Sequence, residues 1–397
     1  MDLYKIMTEI QPRFVADGEN ICHFVYEHPE IGMEEFESSA FLADYMEKKG
    51  FKVTKPYCGV ETAFLATYGE EGPQIDFLAE YDALPGYGDD KHNAHACGHN
   101  WIAGSTAEAA LIMAEMVRDG CIKARIRYVG TPAEENVGGK ILEQQKGAFN
   151  NTDLSLQCHL SDKTNVAVTA LAMNSFEYSF AGRASHAAGA PWDGINALDA
   201  VNLMFSGVNC LRQHVTPDTR IHGIVTYGGL APNIVPDKAG CKFYIRAAER
   251  SYLNTVIEKV HNIAKGAALM TGATLSIEET ELPFDNFVLV KSLSLLGEKY
   301  LVKEGITPDN TYGHLGSGAG STDVGNVSYV CPTLYMEVAP IDHPVFPHEE
   351  SALALVDSEY AYDCMHRCVR AMCGIALELI ESDGFAALRE EYLKTRG

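Results

Sequence analysis

Hydrophobic and polar positions change their period several times along this chain, and each change marks an element. Residues up to about 55 carry a helical period, with Phe41, Leu42, Tyr45 and Met46 as one apolar stripe. Gly50 stops that helix, and Phe51-Lys-Val-Thr reads as the start of a strand. Strand and helix then alternate. Residues 74–79 read as a strand, 101–117 as a helix, 124–129 as a strand, 138–147 as a helix and 154–158 as another strand. Alternation of this kind predicts a mostly parallel sheet covered by helices on both faces.

The period shifts near residue 172. Asn174-Ser-Phe-Glu-Tyr-Ser-Phe alternates polar and apolar, as a sheet with one wet face does. A helix at 196–211, strands at 221–227 and 241–247 and a helix at 252–270 follow, which make a compact β-α-β-β-α-β unit of ferredoxin-like type. From about 282 the α/β pattern returns, and it closes with a long helix at 357–381. The expected organisation is therefore an α/β domain in two pieces, 1–171 and 282–397, interrupted by an inserted α+β domain at 172–281.

Composition narrows the function. A chain of 397 residues exceeds what one hydrophobic core normally supports. The net charge of −23, with no basic stripe, argues against nucleic acid as a partner. No apolar run approaches the roughly 20 residues that span a bilayer, and the N-terminus lacks secretory features. The 11 cysteines are scattered without framework spacing, so reduced thiols and a cytoplasmic location are expected.

Four segments carry candidate chemistry. In His95-Ala-Cys-Gly-His99-Asn100, Cys97 and His99 sit at the start of a helix, whose positive end favours a thiolate, and both can face one metal. Thr131-Pro-Ala-Glu134-Glu135 directly follows a strand, on the edge where α/β sheets bind ligands. Paired carboxylates there can divide metal binding from proton transfer. His159 ends the strand at 154–158 on the same edge, and Asp342-His343-Pro-Val-Phe-Pro-His348 offers two further imidazoles. The pairs Glu34-Glu35 and Glu349-Glu350 precede or open helices, where carboxylates merely complement the dipole. Cys364, His366, Cys368 and Cys373 lie on the C-terminal helix in apolar company and read as core. Alternation sends Cys158 to the face opposite His159. Gly316-Ser-Gly-Ala-Gly-Ser resembles a phosphate loop but lacks the following Lys.

These strings, with Glu80-Tyr-Asp-Ala-Leu-Pro-Gly, Ser185-His-Ala-Ala, Ala231-Pro-Asn-Ile-Val-Pro-Asp and Gly320-Ser-Thr-Asp-Val-Gly-Asn-Val-Ser, resemble the aminoacylase-like metallopeptidases. More narrowly, they are similar to the branch of aminobenzoyl-glutamate hydrolases and β-alanyl-lysine dipeptidases, and Asn100, where many relatives have Asp, points the same way. The similarity runs in order through nearly the whole chain. It implies a catalytic α/β domain with two divalent metals and an inserted lid domain that also forms a homodimer. By motif, Cys97 would bridge the metals and His99, Glu135, His159 and a C-terminal His would complete the ligands. His348 fits the distance to the C-terminal helix better than His343, which keeps the Pro and Phe of the motif. Glu134 matches the general base, Asp82 a carboxylate that orients the cluster from behind, and His186 a residue that polarises the scissile carbonyl. Asn233 and Arg246 match positions that bind a substrate carboxylate.

The expected reaction is hydrolysis of the amide bond of a small N-acyl or N-aroyl amino acid or dipeptide. Zinc suits a thiolate-containing site best, and manganese, cobalt or nickel can occupy such sites. Two alternatives stand beside it. In one, Cys97 is a nucleophile with His99 as its base, which leaves the acidic pair and His159 unexplained. In the other, the scaffold is an inactive binding protein.

Overall fold

The computed structural model describes residues 2–314 and 320–396. The glycine-rich stretch at 316–319 lies outside the described residues. Packing divides the chain into two compact units, the first built on Met1–Thr169 together with most of the chain from Phe287 onward, the second on Ala170–Asn286.

The strands of the early chain are β1 (Lys52–Thr54), β2 (Phe64–Tyr68), β3 (Gln74–Ala79), β4 (Leu84–Tyr87), β5 (His92–Ala94), β6 (Arg125–Gly130) and β7 (Leu154–Leu160). Those that follow are β8 (Ala172–Ala181), β9 (Arg220–Tyr227), β10 (Lys238–Ala247), β11 (Thr274–Glu279) and β12 (Thr333–Val338). In the first unit the order across the main sheet is β1-β2-β6-β3-β7-β12. The four strands β6, β3, β7 and β12 run parallel, while β2 joins β6 and β1 joins β2 antiparallel. The mostly parallel sheet expected from the strand–helix alternation is the one observed.

Every residue of β3 and β7 is buried, as parallel strands covered on both faces must be. Along β7, Leu154, Leu156, Cys158 and Leu160 join the main core. The intervening Ser155, Gln157 and His159 point to the opposite face by alternation. The helix His99–Arg118 lies against β3, β6 and β7 and carries Trp101, Ile102 and Met113 into that core. Because four parallel strands end at one edge, whatever follows each of them meets there. Glu80 and Asp82 follow β3, Glu134 and Glu135 follow β6, His159 stands near the end of β7, and β12 leads to His348.

The second unit is an antiparallel sheet in the order β11-β8-β10-β9, with the helices Ala197–Leu211 and Arg250–Thr271 packed against it. Its separate core holds Tyr178, Phe180, Val201, Met204, Phe243 and Val256. Asn196 caps the first helix by accepting from the Leu198 and Asp199 amides at 3.0 and 3.4 Å. The β-α-β-β-α-β order of the expected inserted domain is observed.

Three local expectations need correction. The opening stretch is three helices, Leu3–Ile10, Val15–Glu27 and Phe36–Lys48, separated where Pro12 and Pro29 interrupt the period. The strand β2 and the hairpin β4–β5 were not legible, since Leu84-Pro-Gly-Tyr and His92-Asn-Ala carry no apolar alternation. The helix Glu359–Glu381 does not close the chain, because Phe385–Arg396 forms a further helix after a break at Asp383, whose φ is 52°.

Candidate metal centre

Gly98 separates Cys97 from the helix that opens at His99, and its φ of 80° is a conformation glycine adopts freely. That turn brings both neighbours to the strand edge. The Cys97 thiol lies 3.4 Å from His159 Nε2. The sulfur, His99 and His159 offer ligand atoms that all lie within 4.8 Å of one another, and so do Cys97, Glu135 and His348, and His99, Glu134 and Glu135. The structure thus brings together Cys97, His99, Glu134, Glu135, His159 and His348. His343 is elsewhere, with its Nδ1 on the Ile341 carbonyl at 3.0 Å and its ring stacked on Tyr360.

Each buried imidazole of the cluster is fixed through one nitrogen. His99 Nδ1 bonds Asp82 Oδ1 at 2.8 Å and His159 Nδ1 bonds the Leu160 carbonyl at 2.5 Å, which turns both Nε2 atoms toward the cluster. His99 Nε2 is buried with no hydrogen-bond partner among the described residues, yet stands 3.4 Å from Glu80 and 3.7 Å from Glu135. An orphaned imidazole nitrogen among a thiol and carboxylates is what a divalent cation would satisfy, and the donor set fits one.

Charge is unevenly shared in this pocket. Burial opposes ionisation of Glu135, but the His348 imidazole 3.4 Å away and the His99 charge outweigh it and hold the carboxyl down to about 2. Glu134 moves the other way: burial, then the facing carboxylates of Glu80, Glu135 and Asp323, push it well above the carboxylate range. Burial and the charge of His99 lower the His159 pKa, which favours the neutral form that a ligand needs. The expected lowering of the Cys97 thiol by the helix end is not observed. Burial and the Glu135 charge raise it well above the ordinary thiol value, because Cys97 lies before the first helical turn and is almost fully enclosed.

Sequence reasoning missed the support behind the pair. Lys140 is fully buried, with Nζ 2.6 Å from Glu80 and 2.7 Å from Asp323, and its amide donates to Asp323 at 3.0 Å. Glu80, Glu134 and Asp323 have carboxylate oxygens within 4.8 Å of one another, so this lysine is the compensating charge of an acidic cluster. Glu80 and Asp323 stood inside quoted motifs, but nothing local ties them to a lysine on the helix Gly139–Gln145.

The residues of the second unit form their own group. His186 is exposed and accepts at Nδ1 from the amides of Ala188 and Gly189, at 3.3 and 3.0 Å. It therefore has partners within its own segment, and Nε2 is left as the donor. The segments of His186 and Asn233 are neighbours, since the Ala187 amide donates to the Asn233 carbonyl at 3.0 Å. Arg246 lies on β10, its Nε buried without a partner among the described residues.

Soft and hard donors meeting beside a carboxylate pair that can divide its labour place this chain among the metal-dependent hydrolases. The peptidase dimerisation domain family matches residues 171–270. The mouse (Mus musculus) Xaa-Arg dipeptidase is 34% identical over 90% of this chain and 84% of its own length. A p-aminobenzoyl-glutamate hydrolase polypeptide of Escherichia coli (strain K12) is 35% identical over 64% of this chain and 56% of its own. Among solved structures, a dinuclear metal-binding peptidase of the M20 family from Bacillus subtilis shares the fold with a TM-score of 0.66, at 19% identity, covering 92% of this chain and 99% of that one. The chain belongs to the M20 family of metallopeptidases and is a hydrolase of amide bonds.

Proposed function

We propose that this chain hydrolyses the amide bond of a dipeptide or a small N-acyl amino acid, using two divalent ions held by Cys97, His99, Glu135, His159 and His348. The observation that carries the reading is the convergence of these five donors at one sheet edge, with both buried imidazoles fixed through Nδ1. When bound, the ions would acidify a water and polarise the scissile carbonyl. Glu134 takes the proton of the attacking water and returns it to the departing amine. His186 supplies a hydrogen bond from Nε2 to the developing oxyanion, and Asn233 and Arg246 hold the substrate carboxylate. Xaa-Arg dipeptides and p-aminobenzoyl-glutamate, the compounds in the names of two relatives, share a free carboxylate on the amine half. A cysteine nucleophile would need a lowered thiol pKa, and that of Cys97 is raised.

The domain assignment belongs to the same proposal: catalysis on 1–171 and 282–397, with substrate closure and dimerisation on 172–281. The edge strand β9 exposes Ile224, Val225 and Tyr227, which supports a homodimer through this unit. Zinc is the favoured ion. No described helix is long and apolar enough to cross a membrane, and the 11 free thiols suit the cytoplasm. The test is turnover by the metal-loaded protein on a panel of Xaa-Arg dipeptides, p-aminobenzoyl-glutamate and acyl-amino acids, each beside its C-terminal amide. Hydrolysis of the acids and not the amides supports the reading. Equal hydrolysis of both removes the carboxylate contact, and no hydrolysis of any removes the substrate class.

A further inference from the structure

Glu35 precedes the helix Phe36–Lys48, where its sequence neighbourhood gave it no role beyond complementing the helix dipole. Its position in the fold is different. Glu35 is fully buried, makes no side-chain capping bond to its own helix, and accepts at Oε1 from the Ala133 amide at 2.7 Å. A carboxyl taken out of water needs compensation, and here the partner is a backbone amide 98 residues away.

That amide belongs to an unusual turn. Ala133 has φ 61°, a left-handed conformation that a residue with a Cβ disfavours. Its carbonyl accepts from the Gly138 and Val137 amides at 2.7 and 3.2 Å, and the next residue is Glu134. On the far side of the pair, the Glu135 amide donates to Asp82 Oδ2 at 2.9 Å. The turn that presents both carboxylates is therefore suspended at two amides from two buried acids, Glu35 before the pair and Asp82 behind it. Gly139 closes the turn from below, where a Cβ would collide with the Pro132 carbonyl oxygen.

We infer that Glu35 is a positioning residue for hydrolysis: its hydrogen bond to the Ala133 amide holds the left-handed turn that aims Glu134 at the donor cluster. This rests on the reading of Glu134 as the general base. A misplacement of about 1 Å in a catalytic group costs up to about a hundredfold in rate, so the turn need not unfold for its support to matter.

The test uses the metal-loaded enzyme and the variants Glu35→Gln and Glu35→Ala. Glu35→Gln keeps an acceptor oxygen and should hold kcat within about threefold. Glu35→Ala should lower kcat by roughly ten- to a hundredfold with KM, metal content and unfolding midpoint near wild type. Hydrogen exchange in a peptide spanning 131–136 should quicken in Glu35→Ala and not in Glu35→Gln. Adding Ala133→Gly to Glu35→Ala should recover part of the lost kcat, since glycine adopts a positive φ without the Cβ penalty. If the alanine variant does not fold, Glu35→Asp, one methylene shorter, serves the same comparisons. An unchanged kcat in Glu35→Ala, metal loss in proportion to activity, or equal damage in Glu35→Gln would each overturn the inference. The exchange readout does not involve Glu134. Unchanged exchange removes the Glu35 contact and leaves the base reading standing, whereas full activity in Glu134→Gln removes the base reading, and with it the positioning role, but leaves the contact standing.

Discussion

Asp82 and His99 are bonded through Oδ1 and Nδ1 at 2.8 Å, and the other oxygen of the same carboxylate holds the Glu135 amide at 2.9 Å. One buried acid thus orients two of the proposed metal donors, one at the start of a helix and one in the turn after β6. Removing such a support typically weakens metal affinity by about 10- to 100-fold while leaving the donors in place. Asp82→Ala should show that loss in a competitive chelator titration, with the metal stoichiometry restored at high metal concentration. Wild-type affinity would remove Asp82 from the centre.

Metal loading should release protons. Burial and the Glu135 charge keep the Cys97 thiol protonated at neutral pH, and although burial opposes the His99 charge, the carboxylates of Asp82 and Glu80 raise its pKa well above that of a free imidazole. Both must deprotonate to ligate, and His348, whose pKa its Glu135 neighbour raises, adds part of a third proton, so calorimetry of zinc binding at pH 7, in buffers of different ionisation enthalpy, should report about two to three protons released per chain. Affinity should fall as the pH falls. Release near zero would mean that the two groups ligate nothing.

The acidic pair divides in a way that mutation separates. Glu134→Gln should abolish turnover with metal content and folding intact, since a proton carrier is not a ligand. Glu135→Gln should lose metal. The reverse pattern would show that the assignments are exchanged.

Lys140 allows a stability prediction with a definite sign. Burial opposes ionisation of Glu80, but Lys140 and His99 hold its carboxyl down to about 2, so it contributes stability above the unfolded carboxylate range that is lost as the pH falls toward 2. Lys140→Met leaves Glu80 and Asp323 buried without their cation and should cost roughly 3–5 kcal/mol in urea unfolding of the metal-free protein. In the variant both folded-state pKa values rise, so stability is greatest where the acids are protonated and is lost as the pH rises through them. The deficit should therefore narrow between pH 7 and 5. A deficit that does not change with pH would mean that lost packing, not unpaired charge, is the cause.

The architecture was legible because β3, β6 and β7 are short stretches rich in Ile, Leu, Val and aromatic residues between helical periods, and β8 alternates over a longer run. The donors were legible as motifs because Cys97 and His99, and Glu134 and Glu135, are close in sequence. The supports were not. Lys140 reads as an exposed helical lysine and Glu35 as a helix-opening acid, and each finds its partner only when the chain closes: Asp323 is 183 residues from Lys140, and Ala133 is 98 from Glu35. Period and local spacing carry no information about such pairs. His186 failed differently. Its partners, the amides of Ala188 and Gly189, are only two and three residues away, but they depend on a turn that no side-chain pattern announces.

His186 carries the last prediction. With Nδ1 accepting from two amides, the proton resides on Nε2, and the ring is a preset donor for an oxyanion. Such a donor is worth roughly 3 kcal/mol, about a hundredfold in rate. His186→Ala should lower kcat by that order with metal content and oligomeric state preserved, because the side chain is exposed and outside both cores. The proposed dimer adds a sharper test. If each His186 serves the site of the partner chain, mixing His186→Ala chains with Glu134→Gln chains should restore activity. Each mixed dimer then has one site with a sound base from one chain and a sound imidazole from the other, so a random mixture should recover about a quarter of wild-type turnover. Exchange of chains between dimers is verified first with mass-tagged protein. Exchange without recovery would place His186 at the site of its own chain, and an unchanged kcat in the single variant would remove it from the reaction.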